Sequence, residues 1–259
     1  MFKEQDNMRP GPTPERVLAI CRIVAGGEIS SFEIFKLSEL DENTTSSEES
    51  IRRSIDAAEE LGLIKKKTDK YLLNIKEEDL VSAEAFRKCV VTKAFENSKT
   101  TFFQLTEWFI NNEEQALKLN RFDDYAAIAA KTGVETITEN DVLGWRFWMR
   151  FLGHAYQYNK TLIPNMKVRL EDALESVKPN TQMTCTKFIS WIKENIPEAA
   201  SACSKEQLPL ALSNGLRTLH NEGKVELIRT RDAVKIKLYP LSGVQQELNE
   251  FSDIIIKEV

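Results

Sequence analysis

Two groups of side chains in this sequence suit recognition of a polyanion. Ser213, Asn214, Arg217, Thr218 and Asn221 recur at three- and four-residue intervals, so a helix would gather them on one face. Asn and Arg are the side chains that read adenine and guanine edges in a DNA major groove. Arg229, Arg231, Lys235 and Lys237 follow closely, in a segment with strand alternation, and suit phosphate contacts. Lys65, Lys66 and Lys67 repeat the basic run nearer the N-terminus, behind Arg52 and Arg53. DNA contact through these residues is therefore expected, to duplex in preference to single strands.

Catalytic chemistry has less to work with. Neither of the two histidines, His154 and His220, has a cysteine or second histidine at metal-ligand spacing. The four cysteines, Cys21, Cys89, Cys185 and Cys203, are scattered and read as small buried hydrophobes in a reducing compartment. No Gly-rich loop ends in Lys-Ser or Lys-Thr, and acid pairs such as Glu59-Glu60 and Asp123-Asp124 read as solvated faces. The expectation is a non-catalytic protein with no metal site, no catalytic residues and no cofactor.

The elements that position these residues follow from periodicity. Val17, Ile20, Cys21 and Val24 mark a helix stopped by Gly26-Gly27, and a second short helix fits Ser31 to Leu40. After a polar loop, Asp41 to Ser47, the residues Ile51, Ile55, Ala58 and Leu61 place one buried face on a third helix ended by Gly62. A hairpin then pairs a strand beginning at Leu63-Ile64 with Tyr71 to Ile75 across a lysine-rich turn. Residues 182–241 repeat the grammar. A helix carries Phe188, Trp191, Ile192 and Ile196, and a short helix spans Pro197 to Ala202. Ser204 to Gln207 forms a capping box opening a helix with Leu208, Leu212, Leu216 and Leu219 inward. A hairpin of Val225–Arg229 with Ala233–Tyr239 closes the copy, with Val234, Ile236 and Leu238 facing in.

Three helices and a hairpin, with Ser50 to Ile64 running into "Glu-Leu-Gly-Leu-Ile", resemble the third helix and wing of bacterial winged helix-turn-helix regulators. The resemblance is at superfamily level, occurs twice, and implies DNA-binding or protein-binding modules. The expected fold is mainly α with small β-hairpin wings. Two winged-helix domains (1–76 and 180–241) flank a helical middle domain (77–179), and an acidic helical tail covers 242–259. Within the middle domain, helices are expected at 82–97, 100–112, 121–132, 139–158 and 164–176. From Val142 to Leu170 there are five cations, no acid and six aromatic rings other than His154. That composition can stack unpaired bases. On a helix, however, Leu143, Phe147, Phe151, His154 and Tyr158 form one stripe and Trp145, Trp148, Leu152 and Ala155 another, which reads as core with Arg146 and Arg150 at its edge.

Charge separates two functional classes. The chain of 259 residues is 42% hydrophobic with a net charge of −5, so it is globular and not a generic polyanion binder. By segment the balance is −5 over 1–80, 0 over 81–180, +3 over 181–240 and −3 over 241–259. Glu48, Glu49, Asp56, Glu59 and Glu60 make the first third helix a poor partner for phosphates and suit protein contacts. The second copy is chemically better suited to DNA. A DNA-binding regulator or DNA-contacting subunit is thus the leading expectation, and an interaction scaffold in a multiprotein assembly is the alternative. Tight binding would call for a protein partner or a homodimer. No stretch approaches the ~18 apolar residues of a membrane span. Met1 to Pro14 lacks the apolar core of an export signal, so a cytoplasmic protein is expected.

Overall fold

The computed structural model describes residues 1–4, 7–38, 48–119, 121–131, 134, 137–204, 206–241 and 248–257. They form two compact units, residues 1–104 with 126–151 and residues 105–125 with 152–259. Residues 77–179 are therefore divided between the units. The chain is mainly helical with small antiparallel sheets, as its periodicities imply. No helix among the described residues is long and apolar enough to cross a membrane.

The first unit opens with α1 (Pro14–Ala25). Thr13 caps it by accepting from the Arg16 amide, and Pro14 suits the first turn because its missing N–H has no helical partner there. Val17, Ile20, Cys21 and Val24 are buried, and Gly27, at φ +134°, takes the backbone out of the helix. A short strand, β1 (Ile29–Ser30), precedes α2 (Ser31–Ser38). Ser30 and Glu33 cap one another reciprocally at that helix start. Leu40 and the polar loop lie outside the described residues. Helix α3 (Glu48–Glu60) buries Ile51, Ser54, Ile55, Ala57 and Ala58, and Gly62 at φ +62° turns it into β2 (Ile64–Lys67) and β3 (Lys70–Leu73). β1 adds to the hairpin on the β3 side, giving sheet order β1-β3-β2. That three-stranded sheet is the part the two-stranded expectation lacked.

Helix α4 (Ala83–Ala94), capped by Ser82, also belongs to the first unit, and α5 (Thr101–Asn111) begins in it. In the second unit lies α6 (Glu114–Lys118), followed by α7 (Phe122–Lys131), which starts there. Helix α8 (Glu139–Phe151) completes the first unit. Its N-terminus is a capping box: the Thr138 amide donates to Asp141 Oδ2 at 2.9 Å and the Asp141 amide to Thr138 Oγ1 at 3.3 Å. Asp141 Oδ1 also accepts from the Met8 amide at 2.6 Å. The segment around Met8 crosses α8 at Gly144, where a Cβ would stand 2.6 Å from the Arg9 carbonyl oxygen. Trp148 completes the fastening by donating from Nε1 to the Pro12 carbonyl at 2.8 Å. Trp145 and Trp148 are fully buried, while Arg150 is exposed and Arg146 half-buried.

The helix expected to run to Tyr158 ends at Phe151. Gly153 adopts φ +80°, a left-handed conformation that stops a helix. The next ten residues alternate instead, as β4 (Ala155–Tyr158) and β5 (Thr161–Pro164), across an Asn159-Lys160 turn with Asn159 at φ +52°. Tyr158 therefore stands on a hairpin and not in a helical core stripe.

The second unit repeats the order of the first, one helix earlier than the sequence pattern implies. Helix α9 (Lys167–Leu174) and strand β6 (Thr181–Thr184) come first, then α10 (Cys185–Asn195) and α11 (Leu210–Asn221), then β7 (Val225–Ile228). The short helix expected at 197–202 is a pair of 3-10 turns, Pro197–Ala199 and Ala202–Ser204. No capping box opens α11, whose N-cap is Pro209, because Gln207 and Leu208 are drawn into backbone pairing with Lys237. β7 does not pair with the 233–239 segment. That segment forms only β8 (Ile236–Lys237), which pairs with β9 (Glu250–Phe251), and its Val234 is 75% exposed. The return strand is β10 (Asp253–Ile256), set between β6 and β7 in the order β6-β10-β7. The tail read as helical is extended over 250–256 because Ile254 and Ile256 are buried while Asp253 and Ile255 are only partly so, a period of two. Residues 242–247 and 258–259 of that tail lie outside the described residues.

Candidate nucleic-acid interface

The N-terminal hairpin presents a run of cations that are in no ion pair among the described residues. In its register Lys65 stands opposite Leu72, Lys66 opposite Tyr71 and Lys67 opposite Lys70. Alternation then puts Lys65, Lys67 and Lys70 on one face of the hairpin. The other face carries the buried Ile64 and Tyr71, with Lys66 Nζ 5.8 Å from the centroid of the Tyr71 ring. All four lysines are exposed, and none is in an ion pair among the described residues. Thr68, at φ +58°, shapes the turn between the strands. The directly opposed Lys67 and Lys70 repel each other in the isolated protein, and an anion on this face removes that penalty.

Helix α3 behaves differently. Arg52 pairs with Glu48 at 3.1 Å and Arg53 with Glu49 at 2.5 Å, each four residues back along the helix. The Arg53 hydrogen bond, aided by its charge, holds the Glu49 carboxyl below its ordinary range. Burial and then neighbouring Glu60 push Asp56 upward. Both arginines are thus neutralised locally, on a helix whose exposed residues are mostly acidic.

In the second unit, the expected reading face of α11 is largely enclosed. Ser213 is fully buried: its Oγ donates to the Leu208 carbonyl at 3.2 Å and accepts from the Tyr239 amide at 2.8 Å. Asn214 is half-buried and donates from Nδ2 to the Pro164 carbonyl at 3.0 Å. Arg217 is half-buried, reaches the Leu248 carbonyl at 3.4 Å, and has its pKa pushed down by desolvation. Gly215 lets α9 come close, since a Cβ there would meet Leu170 Cδ1, Lys167 N and Met166 C at 2.9 Å. Thr218 Oγ1 donates back to the Asn214 carbonyl at 2.8 Å. Asn221 alone of the expected base-reading group is exposed. Ser, Asn and Thr satisfy backbone groups as readily as they satisfy bases, and helical spacing does not distinguish the two uses.

The second basic segment stays at the surface. Arg229 is 64% exposed and pairs through Nε with Glu250 at 2.8 Å. Lys235 is half-buried, donates to the Arg231 carbonyl at 2.8 Å and lies 4.0 Å from the same Glu250. Arg231 and Lys237 are exposed and without an ion pair among the described residues.

A third cluster, absent from the sequence-level picture, is wholly internal to the second unit. Glu198 Oε1 accepts from Arg169 Nε and faces His154 Nε2, both at 2.8 Å, and Arg169 Nη2 donates to the Asn195 carbonyl at 3.0 Å. Burial alone would raise Glu198, but the Arg169 charge and the hydrogen bonds hold it at about 2. Burial pushes His154 below its ordinary value, with Glu198 opposing, so the imidazole is neutral and donates its Nε2 proton. All three side chains are sealed from solvent, and they tie the residue before β4, helix α9 and the Pro197–Ala199 turn together.

A family model described as DpdG-like matches residues 7–233. The chain belongs to the DpdG-like family. No curated protein and no solved structure matches it. The DpdG-like match runs through the Lys65–Lys70 hairpin, the buried His154 cluster and α11, and it takes in Arg229 and Arg231 before ending at Ala233.

Proposed function

We propose that this DpdG-like chain is a non-catalytic DNA-contacting component, built on two winged helices, that grips the duplex backbone chiefly by its N-terminal wing. The observation that carries this reading is the single face of Lys65, Lys67 and Lys70, exposed and in no ion pair among the described residues, with Lys67 and Lys70 directly opposed and the charge of Lys70 felt by Glu33. Arg231 and Lys237 add a second, smaller cationic site. Family membership supports the same direction, because it links the chain to the Dpd DNA-modification system. Phosphate contacts position a protein on DNA without reading sequence, so low base selectivity and strong salt dependence are expected.

The test is fluorescence anisotropy of the full chain on a random duplex across a salt series. Replacing Lys65, Lys67 and Lys70 together by alanine should lower the log–log salt slope by about 2.7, for three phosphate contacts at ~0.9 each. Arg217→Ala should leave the slope unchanged, since its guanidinium is committed to the protein interior. An unchanged slope in the lysine variant refutes the wing assignment. A second reading, a protein-binding scaffold, is favoured by the acidic exposed face of α3, where Arg52 and Arg53 are already paired. Failure of the parent chain to bind DNA at low salt would put that reading first.

A further inference from the structure

We propose that the outer face of the β4–β5 hairpin holds an unpaired nucleobase between Tyr156 and Tyr158. This site is separate from the wings and stands whether or not they grip duplex DNA. The two tyrosines are two residues apart on one strand, so they project from the same face, opposite Ile163 and Thr161. They are 47% and 70% exposed, whereas Trp145, Trp148 and Tyr125 are fully buried. The core therefore has no use for this pair of rings.

Their spacing selects the ligand. Same-face neighbours on a strand stand about 6.6–6.8 Å apart, twice the ~3.4 Å between stacked bases. A flat heterocycle fits between them with both faces covered, and a base already paired and stacked in a duplex does not. Charge points the same way. The chain carries no carboxylate from Val142 to Leu170, and Lys160 is exposed at the hairpin tip, two residues beyond Tyr158, where a flanking phosphate can reach it. The platform is also rigid. Ala155 and Leu162 are buried beneath it, the Pro164 carbonyl is held by Asn214, and the Asn165 amide donates to the His154 carbonyl at 3.1 Å. Little ordering is required on binding. Every base has a π face, so the site distinguishes unpaired from paired nucleotides and not one base from another.

The experiment uses the full chain and a short thymidine oligonucleotide with one central 2-aminopurine, whose emission falls when it stacks. The expected result is quenching on saturation with the parent chain, and none when the oligonucleotide is first annealed into duplex. Tyr156→Ala and Tyr158→Ala should each weaken binding by about 5- to 150-fold and remove the quenching, whereas Tyr156→Phe and Tyr158→Phe should preserve both. The Lys65, Lys67 and Lys70 triple alanine variant should quench at saturation as the parent does, which separates this site from the wing. A ribose version that quenches equally assigns a general nucleobase site, and one that does not assigns single-stranded DNA. Absence of quenching by the parent, or quenching that survives both alanine changes, overturns the proposal.

Discussion

Removing the charge of Glu198 while keeping its shape should unlock the second unit. In Glu198→Gln the Arg169 guanidinium, only 4% exposed, loses the carboxylate 2.8 Å away. Breaking a buried pair from one side strands the other charge, at a cost of ~3–5 kcal/mol. Arg169→Met strands Glu198 in the same way, although its carboxyl then escapes part of the penalty by taking up a proton. Native-state hydrogen exchange over peptides from α9 and α11 reads this unit alone. At ~1.4 kcal/mol per decade, protection there should fall by roughly two to nearly four orders of magnitude in Glu198→Gln. The double variant Arg169→Met with Glu198→Gln leaves no stranded charge, so its loss should be far smaller than the two single losses added. The sign with pH follows from the same groups. Glu198, held at about 2 against an ordinary 4.5, contributes stability that is full above ~4.5 and disappears as pH falls toward 2. His154, held below its ordinary 6.5 by burial, takes a proton less readily when folded than when unfolded, so stability begins to drop as pH falls below ~6.5. Thermal melts from pH 8 to 3 should show both losses. Strict additivity in the double variant, together with a flat stability between pH 7 and 5, would refute the reasoning.

Two other substitutions separate function from folding. Lys67→Glu replaces the repulsion across from Lys70 with attraction, so it should stabilise the first unit by ~0.2–1 kcal/mol in urea melts while weakening duplex binding; a gain in both would sink the backbone-grip reading. Gly144→Ala drives a methyl group toward the Arg9 carbonyl, 2.6 Å away. It should cost ~1–3 kcal/mol and speed amide exchange at Met8, whose N–H is fastened to Asp141; unchanged exchange would mean that the crossing yields without strain.

Much of the first unit was legible because each stripe ended in a residue with one conformational meaning. Val17 to Val24 stops at Gly26-Gly27, and Ile51 to Leu61 stops at Gly62, so pattern and punctuation agree. The exposed lysines were legible for a different reason: an ammonium is rarely buried, so Lys65, Lys66, Lys67 and Lys70 all reach solvent whichever face of the hairpin they start from. The second unit was harder because its patterns fit two periods. Val244, Leu248, Phe251 and Ile255 sit at helical spacing, yet Ile254 and Ile256 obey strand alternation, and pairing with both β6 and β7 decides the matter. Likewise the polar stripe of α11 has the composition of a groove-reading face, but Ser213, Asn214 and Thr218 spend their hydrogen bonds on backbone carbonyls and on the Tyr239 amide. Nothing in a one-dimensional pattern marks Glu198 as an internal anion, because its partners, Arg169 and His154, come from distant segments.

The position of β10 has a consequence for how the protein is made. Residues 253–256 supply the middle strand of the β6-β10-β7 sheet, while β6 and β7 are synthesised well before them. Until those residues leave the ribosome, both neighbours carry unsatisfied edges, and the apolar side of α10 and α11 has no sheet to close over it. The second unit therefore closes its sheet only after residues 253–256 have emerged, through contacts distant in sequence, which are slow to form. The first unit, whose three strands all lie within residues 29–73, can close its sheet while translation is still under way.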